Sequence, residues 1–142
     1  MKTSREERIL SIDYGERRIG IAITDPLKII ALPLTSLAND KNLWRSIKNI
    51  FDDYYISEIV LGYPLKENGE KSKLTGLVEK FKIELEKITD AKIVFLDERY
   101  TSKIASQRIL ESVKSKKKRQ EKKRIDEQAA LILLQDYLNR RK

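Results

Sequence analysis

The sequence contains no cysteine and no histidine among its 142 residues. The absence of cysteine excludes a disulfide framework and a thiolate metal site, and the absence of histidine excludes imidazole ligands and histidine bases. A metal ion bound to this chain would therefore have to be held by oxygen atoms. Carboxylate oxygens suit hard divalent cations, so the expected cofactor is Mg²⁺ or Mn²⁺.

Long apolar runs are also missing from the sequence. No stretch approaches the length of a membrane span, so we expect no membrane partner. The polar start, residues 1–8, lacks the apolar segment of a signal peptide, and this predicts a cytoplasmic protein. The length predicts a single domain, residues 1–142, built around one core.

Basic residues outnumber acidic ones, 30 against 22, and the formal net charge is +8. A surface with this average charge attracts polyanions, and nucleic acid is the first candidate partner. The alternative is a soluble basic protein without such a partner, because net charge alone does not distinguish the two.

The segment from Ile9 to Asp25 predicts two apolar strands joined by a tight turn. Residues 9–12 form a short apolar run, and residues 14–17 supply a turn in which Gly15 is available for a positive φ. In the returning strand, residues 19–24, three isoleucines alternate with small residues that allow close approach of another element. Asp13 ends the first strand, where it either caps the turn or serves a polar site.

The apolar pattern after residue 25 predicts a short third strand, two further strands and four helices. We expect a third strand at 28–32 ending near Pro33, and a helix capped by Asn39 or Asp40 with Trp44 as a core anchor. The elements predicted after this helix are, in order, a strand at 56–62, a helix at 74–88, a strand at 92–96, a helix through 104–110 and a last helix from about 125 to 138.

This order predicts an α/β fold with a mixed five-stranded sheet. An antiparallel meander of three strands is extended by two parallel strands, and helices cover both faces. The arrangement matches the ribonuclease H-like order of elements.

Four motifs across most of the chain resemble the YqgF family, the Holliday-junction-resolvase-like proteins of the ribonuclease H-like superfamily. The departures are Tyr63 and Tyr100, where leucine is common in the family. The motifs are Asp13-Tyr14-Gly15 with Arg18-Ile19-Gly20-Ile21-Ala22, Leu61-Gly62-Tyr63-Pro64-Leu65 with Gly69, Leu96-Asp97-Glu98-Arg99-Tyr100-Thr101, and Ile125-Asp126-Glu127-Gln128-Ala129-Ala130 with Ile132-Leu133-Leu134-Gln135.

The resemblance implies a catalytic set of carboxylates, Asp13, Asp97 or Glu98, and Asp126. Asp13, Glu98 and Asp126 would be the metal ligands. Asp97 and Glu98 should point to opposite faces of their strand, so one of them enters the site, and we favour Glu98. Junction resolvases carry an acid at the strand end that here is Gly62, so this pair would substitute from the neighbouring strand. Without the resemblance, Asp126 at the start of a helix would only stabilise the helix end.

Basic residues lie close to these acids in the sequence. Arg18 or Arg99 would steady a phosphate oxygen. The run before Asp126 is either a solvated segment or an arm that binds the nucleic-acid backbone without reading sequence. The binding residues proposed in this run are Lys116, Lys117, Lys118, Arg119, Lys122, Lys123 and Arg124.

The resemblance implies a divalent-metal-dependent endonuclease that processes the 5′ end of the precursor of 16S ribosomal RNA. The alternatives are resolution of four-way DNA junctions and a non-catalytic RNA-binding module. A fragment of an actin-like ATPase is disfavoured, because such ATPases pair two domains around a nucleotide. The expected partners are structured RNA, the precursor ribosomal RNA, or branched DNA, with ribosomal particles as a further partner. The chain is expected to be a monomer or a weak homodimer.

Overall fold

The structure is a computed structural model that describes residues 6–98 and 118–141, with the side chains of the last helix described from Glu127 onward. Its elements follow the predicted order. They are β1 (Glu7–Asp13), β2 (Arg18–Thr24), β3 (Ala31–Ala38), α1 (Leu43–Asp53), β4 (Tyr55–Tyr63), α2 (Lys73–Glu86), β5 (Lys92–Asp97) and α3 (Lys118–Arg140).

The five strands form one mixed sheet in the order β3-β2-β1-β4-β5. β1, β2 and β3 pair antiparallel, whereas β4 lies parallel to β1 and β5 lies parallel to β4. This confirms the predicted meander with two parallel strands added at one side. β1 is therefore central, and the carboxyl ends of β1, β4 and β5 meet at one edge of the sheet.

Each face of the sheet carries its own apolar core because β1 alternates between them. Leu10 and Ile12 pack on the face covered by α1 and α2, together with Ile47 and Phe81. Ile9 packs on the opposite face, which is covered by α3. The small side chain of Ala22 lies under α3, as predicted from the alternation of large and small residues in β2.

The prediction for β3 was wrong in its bounds. The strand begins at Ala31 and continues through Pro33 to Ala38. The preceding residues form a turn in which the Asp25 carboxylate accepts backbone N–H groups from Leu27, Ile29 and Ile30. Proline is tolerated because β3 is an edge strand and its pairing with β2 shifts register beside Pro33.

The predicted caps of α1 were also wrong. The residue at the N-cap is Asn42, and it makes no side-chain capping bond. The Asn39 side chain instead donates to the carbonyl of Gly15 in the β1–β2 turn, at 2.9 Å. Trp44 is the predicted core anchor, because it is half-buried and its ring centroid lies 5.0 Å from that of Phe81.

Gly15 does not adopt the positive φ predicted for it, which is found at Gly69 instead. Glycine is needed at residue 15 for space, since a Cβ there would collide with the carbonyl oxygen of Arg18.

The last helix begins earlier than predicted. α3 starts at Lys118, so Asp126 lies in its third turn rather than at its beginning. The interaction of a carboxylate with the positive end of a helix fades beyond the first turn. Asp126 is therefore not explained as a helix-end residue. The predicted helix through 104–110 lies outside the described residues.

Candidate active site

Asp13 ends the central strand on the face that α3 covers. The side chains of Ile9 and Ser11 lie on this face, and because side chains alternate along β1, Asp13 lies on it too. The Asp13 side chain is half-buried. A carboxylate at such a position needs hydrogen bonds, a counter-charge or a metal ion to replace lost hydration.

Glycines stand on both sides of Asp13 along this face. Gly20 lies directly opposite Asp13 in β2. In β4, Gly62 follows Leu61, the partner of Ile12, and shares the face of Val60 under α3. Neither glycine carries a side chain, so the space around the carboxylate is open to groups from other elements.

Glu98 fills part of this space from β5. Its backbone N–H donates to the carbonyl of Tyr63 at 3.3 Å, which extends the pairing of β5 with β4 by one residue. Its carboxyl group is hydrogen-bonded to Asp13. A Cβ placed on Gly62 would lie 2.6 Å from Cδ of Glu98 and closer still to Oε1. The Glu98 carboxyl group therefore occupies the position that a side chain on residue 62 would take.

Burial raises the pKa of Glu98 to about 9, with further contributions from the charge and hydrogen bond of Asp13 and from the charge of Asp97. Two carboxylates in contact cannot both ionise without a large cost, so the pair holds a proton at neutral pH. A perturbed acid at a strand end is typical of a functional site.

Asp97 lies on the other face of β5, as predicted from alternation. Asp97 pairs in register with Tyr63. Phe95, two residues earlier and on the same face of β5, contacts Tyr63 on the α2 side, with ring centroids 4.5 Å apart. Of the two adjacent acids, the structure brings Glu98 to Asp13, whereas Asp97 acts on Glu98 through its charge.

Three contacts fix the direction of α3 across the sheet. Ser11 Oγ donates to the carbonyl of Ala130 at 2.7 Å, and the Tyr137 hydroxyl donates to Glu58, which is the neighbour of Ile9 in β4. The Gln135 side chain accepts from the N–H of Ala31 at 3.3 Å. The helix therefore runs opposite to β1, and its earlier residues lie towards the edge where Asp13 is located.

This direction brings residue 126 to the same edge. From Ala130 back to Asp126 is one helical turn, about 6 Å along the axis. From Ser11 forward to Asp13 is about 6.6 Å along the strand. The backbone of Asp126 therefore lies at the level of Asp13.

The predicted basic residues that the structure describes lie in β2 and at the start of α3. Arg18 begins β2 on the face of Gly20, two residues from the position opposite Asp13. Arg99, Lys116 and Lys117 lie outside the described residues. The others belong to the first two turns of α3, namely Lys118, Arg119, Lys122, Lys123 and Arg124. This part of the run is helical, and it leads along the axis of α3 to the edge that holds Asp13.

The donor chemistry of the site suits a hard cation, because a hydrogen-bonded carboxyl pair that holds a proton can exchange it for a metal ion. Within residues 6–98 and the described side chains of α3, no group of three or more acidic residues could hold a metal ion. The described part of the site is thus the pair Asp13 and Glu98. No helix in the described portion of the chain is long and apolar enough to cross a membrane.

The fold is shared with a solved resolvase. The structure of the Fowlpox virus resolvase in complex with Holliday junction DNA matches with a TM-score of 0.50 at 18% sequence identity, over 94% of this chain and 97% of that one. A mixed five-stranded sheet with helices, aligned over almost the whole length of both chains, identifies the fold as ribonuclease H-like. Nucleases of this class generally use divalent metal ions.

The chain belongs to the RuvX family, described as Holliday junction resolvase, which matches residues 7–140. This confirms the resemblance seen in the sequence and makes the protein a nuclease. A relative from Flavobacterium psychrophilum, named "Putative pre-16S rRNA nuclease", is 42% identical over 94% of this chain and 98% of its own length. A relative of the same name from Chlorobaculum tepidum is 39% identical over 98% of each chain.

Two features of the site were not found from the sequence. Ser11 was not recognised as a docking residue for α3, although a polar residue inside an apolar strand is a usable signal. The steric role of Gly62 was missed because it depends on a side chain 36 positions later in the chain. No local pattern indicates that contact.

Proposed function

We propose that this nuclease cleaves the precursor of 16S ribosomal RNA near its 5′ end in a reaction that depends on Mg²⁺ or Mn²⁺, in the cytoplasm. The observation that carries the proposal is the hydrogen-bonded carboxyl pair of Asp13 and Glu98, half-buried between two glycines at the carboxyl edge of the parallel strands. The names of the relatives from Flavobacterium psychrophilum and Chlorobaculum tepidum support the substrate.

In this proposal Asp13, Glu98 and Asp126 would hold the divalent ions. When bound, such ions neutralise phosphate charge and lower the pKa of water at the scissile bond. Glu98 would have to lose its proton to act as a ligand, so metal binding would depend on pH. Asp97 remains on the α2 face and contributes through its charge.

The basic residues hold the substrate in this proposal. Arg18 lies on the same face as Asp13 and would contact a phosphate oxygen near the cut. The basic first turns of α3 would bind the backbone on either side without reading its sequence. Such contacts fit a structured RNA whose shape, rather than its base edges, is recognised.

The test is a comparison of substrates with one preparation of protein. Purified protein with Mg²⁺ or Mn²⁺ is incubated with precursor ribosomal RNA, a four-way DNA junction and plain RNA and DNA duplexes. We expect cleavage of the precursor RNA, loss of cleavage with a chelator, and little action on the plain duplexes. Cleavage confined to the junction would instead identify a resolvase, and binding without cleavage of any substrate would identify a non-catalytic module.

A further inference from the structure

We propose that Gly62 is a positioning residue for the site, because its lack of a side chain creates the space in which the Glu98 carboxyl group rests against Asp13. This inference rests on the proposed function, in which Asp13 and Glu98 hold the cation. It concerns a residue that is not itself a ligand.

The geometry is specific to Gly62. A Cβ on this residue would lie 2.6 Å from Cδ and 3.2 Å from Cγ of Glu98, and closer still to Oε1. Real Cβ atoms do not approach a neighbour to 2.6 Å, so Glu98 would have to move. Gly62 has no positive φ, and its backbone would accept alanine without strain. The three atoms nearest to that Cβ all belong to the Glu98 side chain, so Glu98 is the first group that a side chain at residue 62 would meet.

Glu98 would respond through its side chain rather than its backbone. Its backbone is held to β4 by the hydrogen bond to the Tyr63 carbonyl, whereas its side chain is a flexible chain that ends in the colliding atoms. An alanine at residue 62 would leave the strands paired and push the carboxyl group away from Asp13. The expected consequence is a weaker cation site with little change in folding.

The experiment measures Mn²⁺ affinity by calorimetry, without nucleic acid, together with the melting temperature of the metal-free protein. We expect Gly62→Ala to weaken Mn²⁺ binding by about tenfold or more, the scale seen when residues that orient metal ligands are changed. Its melting temperature should stay within a few degrees of the wild type. Gly76→Ala is the matched control, since a Cβ at Gly76 meets no atom within 4 Å.

A double-mutant cycle separates positioning from a general disturbance. In a Glu98→Ala background there is no carboxyl group to displace, so Gly62→Ala should cause no further loss of Mn²⁺ affinity. An equal loss in both backgrounds, or wild-type affinity in the single variant, would overturn the inference.

The outcome also separates this inference from the proposed function. If the wild type binds Mn²⁺ and Gly62→Ala binds equally well, the inference fails while the proposed function stands. If the wild type binds no Mn²⁺, the proposed function fails. The amide NMR signals of Asp13 and Glu98 in the metal-free protein then decide the inference, because displacement of the carboxyl group shifts both signals and an undisturbed pair shifts neither.

Discussion

At the scale of single residues, Asp13 is the central group of the proposed site. Replacing it with asparagine keeps the shape and a hydrogen-bonding partner for Glu98 but removes a negative ligand. We expect divalent-dependent cleavage to fall about a hundredfold or more, with the melting temperature of the metal-free protein little changed, because asparagine can still accept a hydrogen bond from the protonated Glu98. Cleavage rates at saturating substrate and thermal melting measure the two effects.

The matched control for this variant is Asp52→Asn, an exposed carboxylate near the end of α1. It changes the net charge equally and should leave cleavage intact. Full activity in the Asp13 variant would show that the carboxyl pair is structural.

The raised pKa of Glu98 predicts how stability depends on pH. The group titrates near 4.5 when unfolded and about 9 when folded, so between these values the native state binds the extra proton. Metal-free stability should therefore fall as pH rises from about 5 to 9. Glu98→Gln imitates the protonated acid, and the fall should be smaller in this variant. Melting temperatures of both proteins across this range provide the measurement, and parallel curves would contradict the assignment.

The acids of the site could be predicted from sequence more easily than their contacts. Asp13 was identified as the polar end of an apolar strand, and strand alternation favoured one acid of the pair 97–98. The hydrogen bond between Asp13 and Glu98 could not be foreseen, because it depends on how far β5 extends along β4. The register of β5 against β4 depends on tertiary packing, which cannot be read from a single sequence.

At the scale of elements, the position of α3 depends on polar contacts as well as on its apolar stripe. Ser11 is fully buried, and its hydroxyl donates to the Ala130 carbonyl at 2.7 Å. Ser11→Ala should lower stability by about 1 kcal/mol, the net worth of one buried hydrogen bond. Denaturant unfolding measures this loss.

The control for the α3 contact is Ser57→Ala. The hydroxyl of Ser57 reaches the carbonyl of Arg8 only at 3.4 Å, and the residue is half-buried. We expect this variant to be close to the wild type in stability. Equal losses in the two serine variants would mean that the bond to α3 has no special weight.

The start of α2 provides a second prediction at this scale. Ser72 accepts from the N–H of Thr75 at 3.3 Å, and the Thr75 hydroxyl accepts from the N–H of Ser72 at 3.0 Å. Ser72→Ala should cost about 1 kcal/mol of unfolding free energy. Asn42 is the N-cap of α1 without a capping bond, so Asn42→Ala should cost clearly less. Unfolding curves that rank the two variants the other way would contradict this reading of the caps.

The elements themselves were predicted better than their ends. Apolar periodicity located every strand and helix of the described residues, because burial on one face leaves a period in the sequence. The errors occurred where polar residues decide the boundary. Asp25 stabilises a turn, so β3 begins later than predicted. The basic residues before Asp126 are helical, so α3 begins earlier than predicted. Lysine and arginine are good helix formers, so a charged run that joins an apolar helix can continue it.

At the scale of the whole molecule, the site and the charge are arranged along one axis. In the proposed function the carboxyl pair binds cations, whereas the substrate is a polyanion that the carboxylates alone would repel. The basic first turns of α3 lie along the axis that leads to the level of Asp13, where we propose that they offset this repulsion. A net charge of +8 adds long-range attraction that depends on salt.

The basic start of α3 allows binding of the nucleic acid to be tested separately from its cleavage. Replacing Lys118, Arg119, Lys122 and Lys123 with glutamine keeps helix propensity while removing four charges from α3. Affinity for every RNA or DNA tested should fall by a similar factor. The slope of log affinity against log salt should shrink by roughly 0.7 to 0.9 for each phosphate that the variant no longer neutralises.

Cleavage at saturating substrate should fall much less than affinity in this variant, because the carboxyl pair is untouched. The control carries the same number of changes elsewhere, and its salt slope should change less because those residues lie on or beside α1, α2 and β5. The control replaces four exposed lysines with glutamine, namely Lys48, Lys80, Lys87 and Lys92. An unchanged slope in the α3 variant, or equal changes in both, would mean that the nucleic acid is bound by the average charge of the surface rather than by the basic start of α3.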